Sequence, residues 1–95
     1  MSPEPEQNTV VVLYGLQTCS HCKSVRKLLQ RRQARFRTVF VDMLIGNERS
    51  DTLRELKRIN PALTFPTLKV GEWVIVGFKA DDIVKALDSL KNEDR

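Results

Sequence analysis

The chain has 95 residues, of which 41% are hydrophobic and 29% are charged, and its formal net charge is +4. This length accommodates one domain and no second core, and the composition is ordinary for a soluble globular protein. No apolar run is long enough to span a membrane. Basic residues cluster between positions 23 and 37 without a nucleic-acid recognition motif, so we expect a solvated helix face that weakly favours acidic partners and binds no nucleic acid.

Short polar segments flank the predicted domain, which we place at residues 9–91. Residues 1–8 have neither the basic start nor the apolar stretch of a secretory signal, and we expect them and residues 92–95 to be disordered tails. Two cysteines are too few for the disulfide framework of a secreted mini-protein. We therefore expect a cytoplasmic protein.

The first half of the chain predicts two parallel strands joined by a helix. Residues 10–14 are apolar and rich in β-branched side chains, and residues 15–18 form a turn. Apolar residues then recur at helical spacing from about residue 20 to residue 32, and residues 36–41 indicate a second strand. Such a βαβ unit has its two strands parallel.

The second half predicts a helix, a hairpin and a final helix. Asn47 is a plausible N-cap for the second helix, and Asn60 ends it because the residue before Pro61 avoids helical geometry. Two β-rich runs separated by Gly71 and Glu72 predict a hairpin with a two-residue turn. The final helix starts near Asp81. The order β-α-β-α-β-β-α predicts an α/β fold, with a four-stranded mixed sheet flanked by helices.

The pair Cys19 and Cys22 lies at the turn between the first strand and the first helix. The unpaired N–H groups and the dipole at a helix N terminus favour an anion, so the Cys19 thiolate, the form that attacks disulfides, is favoured there. Residues three apart at a helix start lie at about the 5–6 Å Cα separation of a disulfide. We predict that Cys19 attacks a substrate disulfide and that Cys22 resolves the mixed disulfide.

Two other interpretations of this motif are a zinc site and a pair of unrelated buried cysteines. A tetrahedral zinc site needs four ligands, whereas the chain has two cysteines and one histidine, His21, so we predict no metal site. A Cys-x-x-Cys at a strand-to-helix turn is specifically a redox motif, which places redox chemistry first. His21 either stabilises the Cys19 thiolate when protonated or is a solvent-facing spacer, and the sequence leaves both roles open.

Pro66 is the next candidate site residue. A proline cannot donate to a sheet ladder, and its simplest role is to begin a strand. Here it follows Phe65 at the start of a β-rich run that the predicted fold brings beside Cys19. We predict a cis Phe65–Pro66 bond that exposes the Phe65 backbone as an edge on which an extended, cysteine-containing substrate pairs.

Four segments together resemble the glutaredoxins of the thioredoxin superfamily. They are residues 11–14, the Cys19–Cys22 motif, Thr-Phe-Pro-Thr at residues 64–67 and Val-Gly-Phe at residues 76–78. The resemblance implies a thioredoxin-like fold, a nucleophilic Cys19, a resolving Cys22 and a cis Pro66. The substrate- or glutathione-binding positions that it implies are Thr18, His21, Phe65, Pro66, Gly77 and Phe78.

The chain departs from the glutaredoxin pattern at the centre of the motif, where Ser20 and His21 stand in place of the usual Pro-Tyr. Leu16, Leu63 and Val76 also replace groups that hold glutathione in that family. In addition, Gly-Phe-Lys at residues 77–79 is similar to the small redoxins that supply electrons to ribonucleotide reductase and are reduced by thioredoxin reductase. Glutathione and thioredoxin reductase therefore both remain candidate electron sources.

These features predict a monomeric thiol–disulfide oxidoreductase that reduces protein disulfides or glutathione mixed disulfides, without a tightly bound cofactor. The alternative is an iron–sulfur carrier. Glutaredoxins that lack proline after the first cysteine can hold a [2Fe–2S] cluster between two subunits through the nucleophilic cysteine and glutathione, and Ser20 permits this arrangement here. No membrane partner is expected.

Overall fold

The computed structural model describes residues 11–93, with side chains described to residue 89. This part of the chain forms four strands and three helices in the predicted order. They are β1 (Val11–Gly15), α1 (Ser20–Arg31), β2 (Arg37–Phe40), α2 (Gly46–Ile59), β3 (Thr67–Val70), β4 (Trp73–Val76) and α3 (Ala80–Glu93), with a short 3₁₀ helix, Val41–Met43, after β2. The predicted tail 1–8 and the last two residues of the tail 92–95 lie outside the described residues, and α3 includes the other two.

The strands form one mixed sheet in the order β2-β1-β3-β4. β1 runs parallel to β2 and antiparallel to β3, and β4 runs antiparallel to β3. Val70 pairs with Trp73 across the turn of Gly71 and Glu72, so the predicted hairpin is confirmed. Gly71 has a φ of +59°, which glycine adopts without steric cost.

Helices cover both faces of this sheet, in a thioredoxin-like arrangement. The main core lies between α1, α3 and one sheet face, and consists of Val11, Leu13, Val25, Leu29, Leu68, Val70, Ile75, Ile83, Ala86 and Leu87. On the other face α2 buries Leu56 completely. Burial raises the pKa of Tyr14, and the nearby Glu55 carboxylate of α2 raises it further. In the described range no helix has both the length and the apolar character needed to cross a bilayer.

Three predicted boundaries differ from the structure. Gly15, predicted to start the turn, is the last residue of β1, because it pairs with Phe40 of β2. The second strand is shorter than predicted, since Val41 already begins the 3₁₀ helix. The prediction that Asn47 caps α2 is wrong: the N-cap position is Ile45, which makes no side-chain cap, and Gly46 turns the chain into the helix with a φ of +62°.

A buried hydrogen-bond network fixes the segment between α2 and β3. Asn60 is only 6% exposed, and its side-chain amide donates to the Thr67 hydroxyl at 2.9 Å and to the Thr64 carbonyl at 3.1 Å. The Thr67 hydroxyl in turn donates to the Thr64 carbonyl at 2.8 Å. Because buried polar groups are costly when unpaired, this network holds the loop that carries Pro66 in one path.

We expect Asn60→Ala to lower the free energy of unfolding by about 1–3 kcal/mol, because it removes the donor to the buried Thr67 hydroxyl oxygen. The measurement is urea unfolding followed by circular dichroism. Asn47→Ala, at an exposed position of α2, is the matched control and should change the value by less than about 0.5 kcal/mol. Equal losses in the two variants would contradict the role of the network.

Candidate active site

Cys19 is the N-cap residue of α1 and is partly exposed. Its backbone is extended, with φ −81° and ψ +116°, and its sulfur accepts the backbone N–H of Cys22 at 3.2 Å. The side chain therefore sits at the positive end of the helix dipole, where N–H groups have no intrahelical partner. The predicted position of Cys19 at a helix N terminus, accessible from solvent, is confirmed.

Cys22 lies one turn further along α1 and is only 2% exposed. Its sulfur packs on Gly15 of β1 so closely that a Cβ atom on Gly15 would lie 2.8 Å from it. Glycine is therefore required at this position for the observed packing. Both cysteines are free thiols in the structure.

The surroundings of Cys22 favour the protonated form of its thiol. Burial raises the pKa of Cys22 to about 11, and a hydrogen bond with the Cys19 side chain adds to the increase. The Leu16 backbone and the Arg26 charge act in the opposite direction. Cys22 therefore keeps its proton at neutral pH. Of the two sulfurs, that of Cys19 is the accessible one, because Cys22 is buried.

Pro66 lies at the same end of the sheet as the cysteines. The predicted cis bond between Phe65 and Pro66 is present. Thr67 pairs with Tyr14, which places Pro66 beside the end of β1 that carries Gly15. The Gly77 N–H donates to the Pro66 carbonyl at 2.9 Å, so these two candidate residues are in direct contact.

The remaining candidates lie on the segments around this end of the sheet. Thr18 and His21 flank Cys19 and are both exposed, and Phe65 is half-buried. Phe78 follows Gly77 and is 42% exposed. Among the described side chains, residues 11–89, no hydrogen bond joins Thr18, His21 or Phe78 to a cysteine. His21 as a group that stabilises the Cys19 thiolate and His21 as a solvent-facing spacer therefore both stay open.

The structure adds two residues to the site that the sequence did not identify. Gly15 gives Cys22 its space, and its position just after an apolar run is a signal of close backbone approach. Asp42 accepts the Gln17 N–H on both carboxylate oxygens, at 3.3 Å each, and so ties the loop before Cys19 to the 3₁₀ helix after β2. These partners are 25 residues apart, and no local pattern points to their contact.

The described residues contain no group of three or more histidine, cysteine, aspartate or glutamate side chains arranged to hold a metal ion.

Gly15→Ala should lower the free energy of unfolding of the reduced protein by about 1–3 kcal/mol, because the new methyl group overlaps the Cys22 sulfur. Urea unfolding under reducing conditions measures this. In the Cys22→Ala background the same substitution should cost less, since the overlapping sulfur is gone. A cost that is the same in both backgrounds would show that the packing against Cys22 is not its cause.

The raised pKa of Cys22 predicts a pH-dependent stability of the reduced protein. An unfolded thiol loses its proton near the ordinary value of 9.0, whereas the folded protein keeps it until about 11. The contribution is therefore fully present below pH 9 and is lost as the pH rises to about 11, because the folded state binds more protons in this window. Urea unfolding across the window should show a smaller loss in Cys22→Ala. Identical pH profiles for the two proteins would refute the assignment.

Comparisons with known proteins agree with this geometry. The glutaredoxin family model matches residues 11–75. The crystal structure of Methanosarcina acetivorans methanoredoxin is 42% identical over 81% of this chain and 82% of its own, with a TM-score of 0.76. The glutaredoxin from Methanosarcina mazei Go1 is 41% identical over 83% of this chain and 78% of its own, with a TM-score of 0.77.

A third solved structure, glutaredoxin grx-1 from Archaeoglobus fulgidus, has a TM-score of 0.79 over 92% of this chain and 95% of its own. Its 24% identity supports the fold alone. No curated protein sequence matches this chain significantly. Because the family match spans most of the chain and includes the cysteine pair, the chain belongs to the glutaredoxins, a family of thioredoxin-fold thiol–disulfide oxidoreductases.

Proposed function

We propose that this glutaredoxin reduces protein disulfides or glutathione mixed disulfides through Cys19 and Cys22. The observation that carries the proposal is the unequal environment of the two sulfurs at the start of α1. Cys19 is partly exposed and its sulfur accepts a backbone N–H, whereas Cys22 is buried and protonated. The Cys19 sulfur is thus suited to attack a substrate, and the Cys22 sulfur, buried behind it, is suited to resolve the mixed disulfide.

The reaction follows from this arrangement in two exchanges. The Cys19 thiolate attacks one sulfur of the substrate disulfide, the substrate S–S bond breaks, and the departing thiolate takes a proton from water. Cys22 then loses its proton and attacks the Cys19 sulfur, which releases the second substrate thiol and leaves a Cys19–Cys22 disulfide. The substrate gains two electrons, and the cysteine pair loses them.

The loop that carries Pro66 is the proposed docking edge for the substrate. The Pro66 carbonyl is already bound by the Gly77 N–H, and Thr67 already pairs in the sheet. The backbone of Phe65 is therefore the part of this loop on which we place an extended substrate.

A protein reductase of the thioredoxin reductase class is the proposed electron source, ahead of glutathione. Leu16, Leu63 and Val76 are half-buried apolar side chains, which offer no charge or hydrogen bond to the carboxylates of glutathione. The protein is proposed to act as a monomer in a reducing compartment, where a cysteine pair of this kind stays reduced between turnovers.

Single-cysteine variants test the proposed roles, with a disulfide-bonded peptide as substrate. Cys19→Ser should show no detectable turnover, because a serine hydroxyl is not ionised at neutral pH and cannot form a disulfide. Cys22→Ser should still attack and should accumulate the peptide mixed disulfide, visible by intact mass. Turnover by Cys19→Ser, or a mixed disulfide at position 22, would contradict the assignment.

The same turnover assay distinguishes the two electron sources, and the colour of the purified protein tests the iron–sulfur alternative. We expect faster turnover with NADPH and thioredoxin reductase than with glutathione and glutathione reductase, and the reverse order would contradict the proposed reductant. Protein purified without air should be colourless and monomeric. A visible absorption band in a dimer that also contains glutathione would instead support the [2Fe–2S] carrier.

A further inference from the structure

Arg26 lies one turn after Cys22 on α1, and it is the half-buried member of the basic residues on this helix. Its guanidinium carbon is 5.5 Å from the centre of the Phe40 ring. Phe40 pairs with Gly15 on the neighbouring strand, and Gly15 in turn contacts the Cys22 sulfur. One corner of the fold therefore contains a cation, an aromatic ring and the buried thiol.

The placement of Arg26 differs from that of its basic neighbours. Lys23, Lys27 and Arg31 are exposed on the same helix. The ring of Phe40 restricts the guanidinium through a cation–π contact, which is stronger where water is partly excluded. Among the side chains described, residues 11–89, the ion pairs involve the arginines at positions 32, 54 and 58, and Arg26 takes part in none of them.

The surroundings of Cys22 supply little other charge. β1 contributes Gly15, which contacts the Cys22 sulfur and is not ionisable. Phe40 of β2 pairs with Gly15 and is not ionisable either. The loop before α1 contributes the Leu16 backbone, and α1 itself contributes Cys19 and Arg26. The nearest carboxylate after β2, Asp42, accepts the Gln17 N–H. Two groups oppose burial and lower the pKa of Cys22: first the hydrogen bond of the Leu16 backbone and, to a smaller extent, the Arg26 charge. Arg26 is the cation of the two, and it lies one helical turn from Cys22.

We propose that Arg26 is a positioning residue for the resolving step: held by Phe40, its charge stabilises the Cys22 thiolate as it forms. This inference rests on the proposed dithiol function. Cys22 gives its proton to water and attacks the Cys19 sulfur, so the Cys19–Cys22 bond forms as the Cys19–substrate bond breaks. The substrate sulfur leaves as a thiolate and then takes up a proton, and no further oxidant or reductant is needed.

Stopped-flow reaction of the reduced protein with one equivalent of 5,5′-dithiobis(2-nitrobenzoate) separates the two exchanges. Attack by Cys19 releases one equivalent of coloured thiolate, and attack by Cys22 on the resulting mixed disulfide releases the second. The two phases are recorded over a range of pH, and circular dichroism confirms that each variant is folded.

Two neutral variants, Arg26→Gln and Arg26→Met, should slow the second phase about threefold at neutral pH, since a smaller thiolate fraction outweighs its greater nucleophilicity. Their second-phase pH profile should move to higher pH. Arg26→Lys retains the charge and should restore most of the rate. Lys27→Gln removes the same charge from an exposed position one residue away and should leave both phases unchanged.

Three results would overturn the inference. A second phase that is unchanged in both neutral variants would exclude the role of Arg26 and leave the proposed dithiol function intact. A second phase that slows equally in Arg26→Lys shows that packing on Phe40, and not charge, is responsible. A wild-type protein that releases no first equivalent overturns the proposed function, and the role of Arg26 falls with it.

Discussion

The hydrogen bond from the Cys22 N–H to the Cys19 sulfur is the interaction on which the rest of the site depends. It makes the proposed nucleophile the cap of its own helix, so that the group satisfying an unpaired N–H is also the group proposed to react. The same bond fixes the spacing between the two side chains. One sulfur consequently stays at the surface while the other enters the core.

The sheet provides the surface against which this pair is held. β1 ends in Gly15, whose missing side chain allows the Cys22 sulfur to approach, and Asp42 anchors the intervening loop at Gln17. On the opposite side of β1, the network of Asn60 holds the loop that carries Pro66. The site is therefore assembled at one end of the sheet, where packing on Gly15 and hydrogen bonds of Asp42 and Asn60 fix the segments that carry it.

Local patterns in the sequence were sufficient for the order of the elements, the hairpin turn and the position of Cys19 at a helix start. They were insufficient where a distant partner decides the outcome. Gly15 belongs to a strand because Phe40 pairs with it, and Asp42 belongs to the site because Gln17 lies across the fold. Asn47 is a residue type that often caps helices, but Gly46, with its left-handed backbone, already begins this helix one residue earlier.

The 2% exposure of Cys22 has a kinetic consequence for the proposed catalytic cycle. In that cycle, a partner that oxidises the pair and a partner that reduces it both exchange through the sulfur of Cys19, since the other sulfur is buried. Oxidising and reducing partners therefore compete for one binding site and occupy it alternately. Such a cycle follows double-displacement kinetics, in which an excess of either partner inhibits the binding of the other.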